Sequence, residues 1–225
     1  MKKQNKYYYE MNPTILNVLS VVWLIAVVLV TLIIIKITNI KITFTETSFN
    51  IMLMVLIPYL FFHEILHSIG YVVNGASFKR ITYGIHLEKG ILCCSCKQEI
   101  SKRNIYWSLM YPFIFIGIIT YIISLIFNFP ILLMLSIFNI AGCIGDLIMF
   151  YDFTKLGDLK FFEYDNPLAF GIITTENLDN KKLFGLQRIE EKNFSQTIDK
   201  KITISKTSVI VIILYYVIGI INILL

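Results

Sequence analysis

The sequence predicts an all-α polytopic membrane protein: about five transmembrane helices, with a small membrane-associated β-hairpin on the cytoplasmic side. Composition is the first ground. Of 225 residues, 56% are apolar and the mean hydropathy is +0.72, whereas soluble domains carry about 45–50% apolar residues. The second is a set of five apolar runs, at 15–35, 51–73, 105–127, 131–151 and 209–225. Each is long enough, or nearly so, for the ~20 residues of helix that cross a bilayer. The third is charge. With the N-terminus in the cytoplasm, segments 1–14, 74–104 and 152–208 hold 18 of the 20 Lys and Arg, and the outer loop 36–50 keeps Lys36 and Lys41. Lys and Arg concentrate in cytoplasmic loops, so we expect a multi-pass cell-membrane protein with a cytoplasmic N-terminus and an outer C-terminus. The net charge of +5 follows from this loop bias and calls for no nucleic-acid partner.

Each element has its own signal. The first run follows Lys2, Lys3 and Lys6, as a signal peptide would, but its apolar core is too long and no small-residue cleavage site follows. It reads as a retained helix. The second run ends at Asn74-Gly75, a helix stop. Beyond it, Ile81, Tyr83, Ile85 and Leu87 alternate with Arg80, Thr82, His86 and Glu88. A period of two marks a strand; Lys89-Gly90 is a turn, and 91–96 is the returning strand of the hairpin. Asn128-Phe129-Pro130 separates the third and fourth runs. Segment 152–208 is polar, with a turn at Asp165-Asn166-Pro167 and a strand-like 170–174. Its charged later half, 177–206, lacks periodicity and reads as a partly ordered linker.

Inside the second run lies His63-Glu64-Ile65-Leu66-His67, an HExxH pattern. Residues four apart share a helix face, so His63 and His67 can bind one zinc ion from the same side. Glu64, about 100° round the helix, can reach a water there as general base. Zinc lowers such a water's pKa toward ~7. The bland alternative, histidines that only bond between helices, leaves the cost of burying three ionisable groups in a span without a return.

A catalytic zinc takes three protein ligands and keeps a fourth position open. Among the 15 Asp and Glu, only Glu64 and Asp146 fall within the five runs. His63 and His67 lie about ten and six residues from the cytoplasmic end of their helix, and Asp146 about five or six from the end of its own. At 1.5 Å per residue the three reach one level. Asp146 is therefore the candidate third ligand. Ala141, Gly142 and Gly145 let another helix come close. Asn139, two turns before Asp146 on nearly the same face, has two readings: a donor to a developing oxyanion, or an interhelical hydrogen bond. The free thiols are a weaker cluster. Cys93, Cys94 and Cys96, with His86, lack the CxxC pairing of structural zinc, and strand-packed thiols are the preferred reading. No disulfide is expected on the cytoplasmic side.

A helix with HEILH at 63–67, a cytoplasmic hairpin, a second helix and a third helix carrying Asp resembles the three-helix core of the site-2 proteases, intramembrane zinc metallopeptidases. The chain looks closer still to the small bacterial membrane proteins labelled "putative zincin peptidases". The features that carry this are HEILH, Cys96-Lys97-Gln98-Glu99, Pro112, GDLIMF at 145–150 and DNP at 165–167. The resemblance covers roughly 50–175. It implies His63, His67 and Asp146 as zinc ligands, Glu64 as catalytic base, and a hairpin that pairs with an extended substrate. The chain departs from the site-2 pattern where Ile140 follows Asn139 and Leu147 follows Asp146.

Three segments are expected: 1–49, with the tail, first helix and outer loop; 50–175, the metallopeptidase-like core; and 176–225, the charged segment and last helix. The expected function is a membrane-embedded zinc metalloprotease that hydrolyses peptide bonds in or next to the membrane near its cytoplasmic face. Glu64 and Asn139 are the candidate catalytic residues, His63, His67 and Asp146 the zinc ligands, and a membrane-associated peptide or protein the substrate. The lipid bilayer is its other partner, and the sequence names no oligomeric state. Two other classes share the motif's features: a zinc-dependent hydrolase of a non-peptide membrane substrate, and a non-catalytic membrane binding or immunity-type protein.

Overall fold

The computed structural model describes residues 4–86, 91–157, 159–163 and 169–190. The expected last span at 209–225, and the Lys89-Gly90 and Asp165-Asn166-Pro167 turns, lie outside the described residues.

The chain opens with a strand. In β1 (Asn5–Met11), Tyr7, Tyr9 and Met11 are buried and the residues between them face outward. Helix α1 (Pro13–Thr38) follows after one residue. Asn12 caps it, its side-chain oxygen accepting the Thr14 and Ile15 amides at 3.0 and 3.2 Å, and Pro13 occupies the first helical position, where its missing N–H costs nothing. Helix α2 (Glu46–Val73) starts in a capping box between Thr45 and Ser48 and runs through Pro58 unbroken. It stops at Asn74, and Gly75 turns the chain with φ +98°, a conformation open to glycine at little cost.

The hairpin is as expected: β2 (Ile81–His86) pairs antiparallel with β3 (Ile91–Cys96), Tyr83 opposite Cys94. A hydrogen bond of 2.6 Å between the Tyr83 and Ser68 hydroxyls ties it to α2. After β4 (Ile100–Ser101), one long helical segment runs through α3 (Lys102–Pro112), a π-helical stretch (Phe113–Ile119) and α4 (Thr120–Phe127). Next come α5 (Pro130–Gly142), α6 (Ile144–Thr154), β5 (Leu159–Glu163), β6 (Ala169–Thr174) and β7 (Leu186–Ile189).

The fold is thus mixed α/β, which corrects the all-α expectation. Besides the hairpin there is a five-stranded antiparallel sheet in the order β4-β5-β6-β1-β7. The segments read as a tail and a linker supply β1 and β7, because pairing across the chain, invisible in local composition, satisfies their backbone groups. Central strand β6 is buried along its whole length. Phe153 of α6 (0% exposed) packs against Phe161 and Phe170 with ring centroids 5.6 and 5.4 Å apart, joining sheet to helices.

The span count is corrected too. Among the described residues three helices are long and apolar enough to cross a membrane: α1, α2 and Lys102–Phe127. The expected fourth span is not one straight helix: α5 and α6 are bent by 40° at the Cys143 junction. At the break Asn139 O keeps its ordinary helical partner, the Cys143 amide at 2.9 Å, while Ile140 O accepts from the Trp23 indole of α1 at 2.9 Å, one of the side-chain partners that helix ends take.

Asp152 locks α6 to the sheet. Its carboxylate is fully buried and accepts the Phe184 and Gly185 amides, both at 2.8 Å, just before β7. Truncation strands two amides, so Asp152→Ala is expected to cost ~3 kcal/mol. A lowered thermal midpoint in detergent checks this, and an unchanged midpoint would refute it.

Candidate metal centre

His63 and His67 project from one face of α2, as their spacing requires. Their rings are held from opposite sides. The Nδ1 of His67 lies 2.8 Å from the Ser108 carbonyl of α3. A carbonyl only accepts, so Nδ1 carries the proton and Nε2 keeps its lone pair. The Ser108 hydroxyl returns a bond of 2.9 Å to the His67 carbonyl.

His63 is held through Asn139, whose Oδ1 lies 2.8 Å from His63 Nδ1. The amide orientation is fixed independently: Asn139 Nδ2 donates to Pro112 O at 3.0 Å and faces Cys143 Sγ at 3.6 Å. Oδ1 must then accept, Nδ1 of His63 must donate, and Nε2 is again bare. Such outer hydrogen bonds fix the tautomer and angle of metal-binding histidines. Pro112 directly precedes the π-helical stretch, an irregularity often found at functional sites.

The two bare Nε2 atoms face each other at 3.0 Å. Asp146, in the first turn of α6, brings its Oδ2 to 3.7 Å from His63 Nε2 and 3.6 Å from His67 Nε2. The bend at Cys143 sets where α6 begins, and so where this carboxylate points. Three acceptors that converge repel one another unless a cation or proton lies between them. Tetrahedral zinc with bonds of ~2.0–2.1 Å keeps its ligand atoms about 3.3 Å apart, within a few tenths of an ångström of all three separations. His63, His67 and Asp146 form the one His/Cys/Asp/Glu group among the described residues with this convergence. The donor set therefore fits zinc. The thiols Cys93, Cys94, Cys96 and Cys143 are free and fall outside the group.

A cavity of about 460 Å³ opens onto the three donors. Glu64 lines it and is 9% exposed. Asn139 lines it too, with its amide turned to Pro112 and His63. Leu92, Cys93 and Cys94 of β3 form part of the wall, as do Leu16, Asn17 and Ser20 of α1.

Sequence reading missed Ser108 and the wall from α1. Ser108 contributes its carbonyl to His67, and a backbone acceptor carries no residue-type signal. The usable hint was Gly70, one turn after His67. A Cβ there would meet Ser108 Cα at 2.5 Å and Ser108 N at 2.9 Å, so only glycine lets α2 and α3 come this close. We expect Gly70→Ala to part the helices, loosen the His67–Ser108 pair and weaken zinc binding about 10- to 100-fold. Competition against a calibrated chelator measures it; wild-type affinity in the variant would show that this contact does not set the site.

No curated protein and no solved structure matches the chain. A family model does, over residues 56–156, and its description is "Putative zincin peptidase". That stretch begins within α2 just before the HExxH residues and ends past α6, so both histidines, Glu64, Asn139 and Asp146 all fall inside it, and over this stretch the chain is similar to that family.

Proposed function

We propose that the protein is a membrane-embedded zinc metallopeptidase that hydrolyses peptide bonds in or beside the membrane, near its cytoplasmic face. The observation that carries this reading is the convergence of two bare imidazole nitrogens and one carboxylate on a cavity that Glu64 also lines.

His63, His67 and Asp146 would hold the zinc, which when bound would supply Lewis acidity and make the attacking water more acidic. Asn139 and Ser108 keep the two Nε2 atoms unprotonated and facing Asp146. Glu64 takes the proton from the attacking water and delivers it to the leaving amine. Asn139 acts through His63, because its own amide hydrogens are engaged by Pro112 and Cys143. The substrate is a membrane-associated peptide or protein. It lies extended along the cavity, beside β3, where main-chain pairing can hold it in register.

The placement rests on the way the strands attach. β1 enters the start of α1, the hairpin follows the end of α2, β4 enters the start of α3, and β5 follows the end of α6. Helices that alternate in direction put all of these ends on one side, the side that also carries the Lys and Arg. That side is the cytoplasm in our reading, with the N-terminus there.

The test compares wild-type and Glu64→Gln full-length protein in detergent, with internally quenched apolar peptides as substrates and bound zinc quantified in parallel. Cleavage by wild type and its loss in the variant, at equal zinc content, is the expected result. Equal cleavage rates, or a wild-type protein that binds no zinc, would overturn the reading.

A further inference from the structure

We propose that Asn17 of α1 is the side chain that hydrogen-bonds the backbone of the bound peptide in the zinc cleft, an inference that rests on the peptidase reading above. An extended peptide entering this cavity brings polar amide groups into a largely apolar setting, with Leu60, Leu92, Leu109, Phe138 and Met149 on its walls. Amide groups buried there without partners are costly. The chain must therefore offer hydrogen bonds beyond those at the metal.

The polar side chains of the wall narrow the choice: Tyr71, Cys93 and Cys94 line it too, and each already has an interaction of its own. Asn139 is spent: Oδ1 meets His63 and Nδ2 meets Pro112 and Cys143. Ser20 donates its hydroxyl to Leu16 O at 2.7 Å within its own helix. Asn17 lines the same cavity, is exposed, and has no hydrogen-bond partner among the described residues. A carboxamide carries one acceptor and two donors, the complement of a peptide group.

Depth agrees. Asn17 lies four residues into α1, about 6 Å from its start, and His67 lies six residues from the end of α2, about 9 Å. In the orientation proposed above these are the same membrane face. Asn17 also stands outside residues 56–156. The matched stretch holds the candidate metal ligands and base, and α1, anchored on α5 by the Trp23–Ile140 bond, adds the substrate contact.

The experiment uses zinc-loaded full-length protein in detergent and two probes: acetohydroxamate, which reaches the metal alone, and a leucine-containing peptidyl hydroxamate, which also fills the cleft. Asn17→Leu is expected to weaken the peptidyl probe about tenfold, the size of one lost hydrogen bond. Acetohydroxamate affinity and zinc content stay at wild-type values, and Asn17→Gln recovers part of the loss. A leucine variant that binds the peptidyl probe as wild type does would overturn the assignment to Asn17 and leave the peptidase reading standing. A wild-type protein that binds neither probe would remove that reading, and this proposal with it.

Discussion

Glu64→Gln is expected to slow peptide cleavage about a thousandfold while zinc stays bound at the wild-type level. General acid–base catalysis contributes about 10²–10⁴, and in the proposed mechanism one carboxylate serves both proton transfers. Glutamine keeps the volume and the hydrogen-bonding reach of glutamate, but its neutral amide does not accept a proton from water. Zinc content should hold because Glu64 is outside the converging group: the donors are His63, His67 and Asp146, and Glu64 follows His63 on the next face of α2. Asp146 completes a triangle with the two Nε2 atoms, and both histidine Nδ1 protons are committed to neighbouring helices. Rate and zinc content therefore have to be read together. Lost cleavage at full zinc assigns the proton transfers to Glu64, whereas parallel loss of both would make it a structural residue and refute the base assignment.

The centre was legible in the sequence because metal chemistry restricts residue types and helix geometry restricts their spacing. His63 and His67 needed only local structure, one turn of α2. Asp146 needed a long-range inference, and its rarity supplied it, since a lone carboxylate in an apolar run is costly. What holds the histidines was hidden. Ser108 and Pro112 act through carbonyl oxygens, which every residue has. The hairpin showed itself through a clean period of two. β1 did not, because Tyr7, Tyr8 and Tyr9 put the same residue on both faces and mask the alternation between buried and outward positions. β7 is four residues long and takes its meaning from pairing with β1, some 175 positions earlier. The 131–151 run gave no warning of the Cys143 bend either, since apolar composition continues across it and the geometry appears in packing against α1 and α2.

That bend gives Asp146→Ala its large expected effect. Removing the outer partner of a metal-binding histidine costs about 10- to 100-fold in affinity; removing a ligand itself should cost more, about a thousandfold or greater. The two histidines would remain, their Nε2 atoms 3.0 Å apart, but a pair of neutral donors lacks the negative charge that offsets a dication away from bulk water. Dialysed Asp146→Ala protein should hold zinc well below one per chain, and cleavage should fall with it. The side chain sits in the first turn of α6, outside the buried core cluster that contains Phe153, and is partly exposed to the cavity. Its loss should accordingly spare the thermal midpoint of the metal-free protein, which separates a missing ligand from a misfolded helix. Asp146→Asn sharpens the point: it keeps shape but not charge, so it should recover little zinc if the charge is what matters. Stoichiometric zinc in the alanine variant would show that Asp146 is not the third ligand.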